Sequence, residues 1–200
     1  MDRLSVHDEL ERARADFRRL VESSDDDLLR KPSNGTRWSN RELLFHMLLG
    51  YLIIRALLGL VRVFGRLPRG ASRGYARLLN AATRPFDEIN YLGSYAGGRT
   101  LRPARMVALF DRVVDKLHRR LDAETDADLE RGMHYPTRWD PFFRDYMTLA
   151  DVYRFPIQHF DFHAHQLTLG RDGRARAEQR SPDSGRRPPS VPPDGSRTRL

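Results

Sequence analysis

Cysteine is absent from the 200-residue chain, and lysine occurs only at Lys31 and Lys116. Without cysteine, the chain has no disulfides, no thiolate metal ligands and no cysteine nucleophile. Any thiol chemistry therefore needs a thiol supplied by a small molecule. Of the 35 basic residues, 33 are arginine, a skew that indicates the codon bias of a high-GC genome rather than a selected basic surface.

The net charge of +8 would by itself suggest nucleic acid or anionic lipid as a partner. Half of this excess lies in residues 171–200, which hold eight arginines and four acidic residues. We therefore expect no nucleic-acid partner. The same segment has five prolines and no aromatic residue, so it cannot bury enough apolar surface to offset its ordering entropy. It is predicted to be a disordered Arg/Pro-rich tail after one domain at residues 1–170.

Strand-like alternation of apolar and polar residues is also missing, whereas apolar residues at helical spacing recur along the chain. This pattern predicts an all-α protein, a four-helix bundle with extra short helices. The short helices are expected within 74–95, interrupted at Pro85 and closed by Gly97 and Gly98. The long helices are predicted at 5–24, at 39–64, after Pro103 and at 142–169.

The segment 43–64 is apolar enough to resemble a membrane span. It contains His46, Arg55 and Arg62, and a charge near a bilayer centre costs about 2.5–3.5 kcal/mol on insertion scales. We therefore predict a buried helix and no stable membrane span, with Arg55 as a surface arginine. Because Met1–Arg18 is charged throughout, unlike a signal sequence, a cytoplasmic location is expected.

Two histidines, His159 and His163, are four residues apart near the end of the predicted domain. On a helix this spacing places both imidazoles on one face, where they either bind one divalent ion or lie at the surface as a chance pair. His165 should point about 120° away, since each residue turns a helix by about 100°. The remaining histidines outside the second helix have polar or charged neighbours and are expected at the surface: His7, His118 and His134.

A further histidine, His46, lies in the apolar second helix. That helix should begin at Ser39, with Glu42 completing a capping box. Taken alone, His46 is either a core histidine with a satisfied hydrogen bond or a functional one. Glu42 is one turn away on the same face, so it is also a candidate to hydrogen-bond a metal-ligating histidine.

Two segments carry a family resemblance. Residues 38–48, WSNRELLFHML, and residues 159–167, HFDFHAHQL, resemble the second-helix and closing motifs of the DinB-like superfamily of metal-binding helical bundles. The similarity covers about residues 5–169. It implies that His46, His159 and His163 are the ligands of a divalent metal such as zinc, nickel, manganese or iron. The chain departs from the usual family pattern in its long apolar run from His46 to Val63.

Relatives in this superfamily include mycothiol- and bacillithiol-dependent S-transferases and maleylpyruvate isomerase. The resemblance therefore implies a metal-dependent thiol S-transferase, whose partners are a low-molecular-weight thiol such as mycothiol and a small electrophile. The alternative is a non-catalytic, stress-related bundle that binds metal. The aromatic residues Tyr153, Phe155 and Phe162 are expected either to line the pocket or to form core. The sequence leaves the oligomeric state open, and a homodimer is compatible with it.

Overall fold

The structure is a computed structural model that describes residues 2–169. Its helices are α1 (Arg3–Glu22), α2 (Asp26–Arg30), α3 (Asn40–Phe64), α4 (Arg69–Ala81), α5 (Thr83–Thr100), α6 (Pro103–Asp122), α7 (Asp126–Glu130) and α8 (Leu149–Ala164). Two short strands, β1 (Gly132–His134) and β2 (Tyr146–Thr148), pair antiparallel. The predicted all-α class is confirmed. The predicted tail at 171–200 lies outside the described residues.

The bundle consists of α1, α3, α6 and α8, which contact one another in a closed ring. Helix α1 packs against α6 and α8, and α3 packs against the same two helices on the other side. Each helix contributes one aromatic ring to a buried layer: Phe17, Tyr51, Phe110 and Phe160. The Phe110 ring lies 4.3 Å from Phe17 and 4.5 Å from Tyr51, measured between ring centroids. Such packed aromatic pairs stabilise a core beyond their buried area alone.

The start of α3 follows the predicted capping box. Ser39 Oγ accepts a hydrogen bond from the backbone N–H of Glu42, and the Glu42 carboxylate accepts one from the backbone N–H of Ser39. Helix α1 begins earlier than predicted, because the Asp2 carboxylate caps it by accepting from the Leu4 N–H. Helix α6 begins at Pro103 as predicted, since proline suits the first helical position.

The last helix is shorter than predicted, and the connector before it is more ordered. Residues 146–148 pair with 132–134 as β2 and β1, so α8 begins only at Leu149, after a Thr148 cap. Strands of three residues are too short to show alternation in a sequence, which is why the pattern did not reveal them. Pro156 lies within α8.

Two glycines predicted to end a helix lie inside α5 instead. Gly97 and Gly98 face α3, where a Cβ on Gly98 would lie 2.7 Å from the Glu42 Cα. Pro85 is in the first turn of α5, where its missing N–H has no helical partner to lose, so it does not interrupt the helix. The glycines therefore allow α3 and α5 to approach closely.

Replacing Gly98 by alanine is expected to destabilise the protein by about 1–3 kcal/mol, because the added carbon meets helix backbone rather than a flexible side chain. Gly93 in the same helix is the matched control, since a Cβ there meets no described heavy atom within 4 Å. Gly93→Ala should stabilise by about 0.5–1 kcal/mol through helix propensity. Urea unfolding of both variants tests the difference, and an equal effect of the two substitutions would contradict it.

Helix α3 is long and apolar enough to cross a membrane by length and composition. Half of its most apolar window is buried inside the fold. The buried residues of this helix include Leu48, Ile54 and Leu58, which belong to the core that α3 shares with α6 and α8.

Candidate metal centre

The contact between α3 and α8 brings together the three histidines that the family resemblance implied. His46 lies in the second turn of α3, and His159 and His163 lie in the last turns of α8. One ring nitrogen from each lies within 4.8 Å of the other two. His165 caps the end of α8 and is exposed, as its position around the helix predicted.

Hydrogen bonds orient two of these rings. His46 Nδ1 lies 3.1 Å from the hydroxyl of Ser94, which is buried on α5. His163 Nδ1 donates to Gln166 Oε1 at 2.6 Å. Because Nδ1 is engaged in both residues, Nε2 is the nitrogen left to face the cluster. Partners of this kind set the tautomer and orientation of metal-ligating histidines.

The ring of His159 is held by close packing rather than by a hydrogen bond on its Nδ1 atom. That nitrogen is buried and has no hydrogen-bond partner among the described residues. Gly50 on α3 leaves the space for the ring, since a Cβ there would lie 2.9 Å from His159 Nδ1. A buried nitrogen without a partner costs about 1–3 kcal/mol. Because Gly50 has no side chain, the His159 ring can pack closely against α3, and this packing helps to position the site.

One pair of ring nitrogens has the separation of two ligands on one ion, within a cluster whose three nitrogens lie up to 4.8 Å apart. His46 Nε2 and His159 Nε2 are 3.2 Å apart. Two imidazole nitrogens at 2.0–2.1 Å from one tetrahedral ion lie about 3.3 Å from each other. Three imidazoles also leave at least one position open on such an ion, as in catalytic zinc sites. The donor set present in the structure is thus suited to a divalent metal.

Burial keeps these imidazoles uncharged. Burial, together with the nearby His163, lowers the pKa of His46 to about 3. The pKa of His159 falls well below its ordinary value, chiefly through burial and then through His46 and His163. Burial also lowers the pKa of His163, against the hydrogen bond to Gln166. All three side chains are therefore neutral at pH 7, which is the form that binds metal.

A cavity of about 300 Å³ opens beside the three histidines. Helix α3 forms one wall, and the segment 133–143 forms much of the opposite wall. Phe162 and Phe155 line the cavity, as one of the two predicted alternatives states, and Phe155 also belongs to the buried core. Tyr153 belongs to the core, where its hydroxyl donates to Glu124 at 3.1 Å.

Three residues near the histidines were not found by sequence reasoning. Trp38 belongs to the motif at residues 38–48, and its ring stacks on His46 with centroids 4.5 Å apart. Ser94 lies in a segment with no distinctive pattern. Asp140 Oδ2 is 3.9 Å from His159 Nε2, and burial raises the Asp140 pKa to about 6. A polar residue beside proline in a connector resembles any loop residue, so no sequence signal marked Asp140.

Glu42 makes no hydrogen bond to a histidine within residues 2–169. One carboxylate oxygen accepts from the Ser39 backbone N–H at 2.9 Å, and the other accepts from Arg99 Nε at 3.0 Å. Both oxygens are thus engaged in capping α3 and in joining α3 to α5. The structure therefore supports the capping role of Glu42 and not the role of hydrogen-bonding a ligating histidine.

The other histidines differ in part from expectation. His134 is buried, not at the surface, because it lies in β1 and packs against the Tyr146 ring. His7 and His118 are partly buried and stack between α1 and α6 with ring centroids 4.8 Å apart. The surface prediction was wrong for His134 because strand pairing covers a residue whose sequence neighbours are polar. Arg55 is exposed, as predicted.

The fold and the site define the class: a helical bundle in which three histidines from two helices meet beside a cavity. The particular family follows from comparison with known sequences. The chain belongs to the DinB superfamily, whose family model matches residues 9–167. No curated protein and no solved structure matches the chain.

Proposed function

We propose that His46, His159 and His163 bind a divalent metal ion, and that the protein is a metal-dependent S-transferase for a low-molecular-weight thiol. The observation that carries the proposal is the meeting of three neutral, largely buried imidazoles at a cavity. Membership of the DinB superfamily supports the metal. The absence of cysteine agrees with a thiol supplied from outside.

The chain's own residues would hold and shield the reacting groups. A divalent ion, when bound, lowers the pKa of a thiol or water that it coordinates. Ser94 and Gln166 orient two of the ligating rings through their Nδ1 atoms. Trp38 covers the His46 ring. The apolar cavity walls exclude water, which would otherwise compete with the thiol as a nucleophile.

The proposed reaction is a substitution at carbon. The thiol sulfur forms a bond to an electrophilic carbon, the bond from that carbon to its leaving group breaks, and the thiol proton departs with the leaving group. No oxidant or reductant is required. The three histidines are assigned to holding the metal.

Turnover of the metal-loaded protein tests this proposal. The assay uses mycothiol or bacillithiol with 1-chloro-2,4-dinitrobenzene and measures arylation of the thiol in the wild type and in a variant with all three histidines changed to alanine. We expect turnover that requires both the metal and the histidines. Full metal occupancy without turnover on any thiol–electrophile pair would instead support the non-catalytic metal-binding alternative. Unchanged turnover in the triple variant would refute the site assignment.

A further inference from the structure

The apolar residues of α3 lie on two different faces of the helix. One face belongs to the bundle core and includes Tyr51, Ile54, Leu58 and Val61, all fully buried. A second stripe consists of Leu49, Ile53, Leu57 and Leu60, which line the cavity. At about 100° per residue the two faces point roughly a third of a turn apart. The core accounts for the first face and for part of the second, since Leu57 and Leu60 pack against it, but it does not account for Leu49 and Ile53.

The opposite wall of the cavity is built from ordered aromatic rings. Trp139 stacks on Phe86 with centroids 3.9 Å apart, and its indole N–H donates to the Leu79 carbonyl at 2.8 Å. Phe142 packs edge-on against Phe162 at 5.7 Å. Rings held in this way present fixed apolar faces, which suit a flat, aromatic ligand.

Polar groups on the cavity wall are few. The three histidines and Asp140 lie close together, Asn90 adds an amide, and Tyr75 and Tyr135 add hydroxyl groups. A hydrophilic ligand would therefore lose hydrogen bonds to water without replacing them, at a cost of about 1–3 kcal/mol for each group left unpaired. The volume of about 300 Å³ is at the small end of small-molecule pockets.

We propose that the cavity binds a compact, largely apolar aromatic compound that carries its one polar, reactive group at the end facing the histidines. Calling this compound the electrophilic substrate rests on the proposed function. Its binding does not, because the apolar walls are formed by side chains other than the three proposed metal ligands. The hydrophilic thiol is the less suited of the two reactants to this cavity.

Both tryptophans of the chain, Trp38 and Trp139, line the cavity and provide the readout. The probe is N-phenyl-1-naphthylamine, a neutral aromatic molecule whose emission rises in apolar surroundings. We expect one saturable site on EDTA-treated wild-type protein, with energy transfer from the tryptophans to the probe. Naphthalene-1-methanol should displace the probe, whereas glucose should not.

Two matched substitutions on α3 locate the probe. Ile53 lines the cavity and is 39 % exposed, whereas Val63 is 57 % exposed and lies away from the cavity. Ile53→Asp should weaken probe binding at least tenfold, and Val63→Asp should leave it unchanged. Leu57→Gln is the second cavity variant should Ile53→Asp fail to fold, as judged by circular dichroism.

The outcomes separate this inference from the proposed function. Non-saturable binding, equal effects of Ile53→Asp and Val63→Asp, or displacement by glucose would each overturn the apolar ligand. Saturable probe binding in a protein that takes up no divalent metal when metal is supplied would leave the apolar ligand standing and overturn only the metal-dependent reaction. Metal-dependent turnover in a protein that does not bind the probe would support the proposed function and overturn the apolar ligand.

Discussion

Changing His159 to alanine is expected to lower the affinity for a divalent metal ion by more than about 100-fold. Loss of a residue that only orients a ligand already costs about 10–100-fold, and His159 is proposed as a direct ligand. Its Nε2 faces His46 Nε2 at 3.2 Å, so its removal also takes away a neighbour of the second ligand. Equilibrium dialysis with zinc, followed by elemental analysis of wild type and variant, measures the change.

Two further variants, one beside a proposed ligand and one away from the site, test whether the loss of metal affinity is specific to the three-histidine site. Ser94→Ala removes the partner of His46 Nδ1 and should cost about 10–100-fold in metal affinity. His165→Ala changes an exposed histidine two residues beyond His163 and should cost nothing measurable. Equal metal content in wild type, His159→Ala and His165→Ala would show that the three-histidine site does not bind the ion.

Changing Arg62 to alanine is expected to destabilise the fold by about 3–5 kcal/mol, because it leaves a buried carboxylate without its main cationic partner. The Glu124 side chain is 1 % exposed and accepts a hydrogen bond from Arg62. Its other close contacts are the Tyr153 hydroxyl at 3.1 Å and Arg120 Nε at 3.9 Å. This network joins α3, α6 and α8 at one end of the bundle, and urea unfolding measures its loss.

Two control variants distinguish the effect of an unpaired buried charge on stability from the effect of losing an arginine side chain. Arg55→Ala removes an exposed arginine from the same helix and should change the free energy of unfolding by less than about 0.5 kcal/mol. Adding Glu124→Gln to Arg62→Ala removes the unpaired charge and should recover part of the lost stability. A double variant as unstable as Arg62→Ala alone would mean that packing, not charge, causes the effect.

Two helix starts that are set by residues close together in the sequence were predicted correctly. The Ser39–Glu42 capping box gave the start of α3, and Pro103 gave the start of α6. The start of α8 was wrong because it depends on β2 pairing with β1, about 14 residues away in sequence. The predicted helix end at Gly97 and Gly98 was also wrong, because these glycines let α5 approach α3.

By itself, the sequence determined that His159 and His163 share one helix face and that His165 does not, because helical periodicity follows from spacing alone. It also placed His46 in an apolar helix and, through its motifs, identified the superfamily. Only the tertiary structure decided that α3 and α8 meet at the height of these histidines, and that Ser94, Asp140 and a cavity lie beside them. Periodicity shows which residues share a face, whereas the packing of several helices at once decides which faces meet.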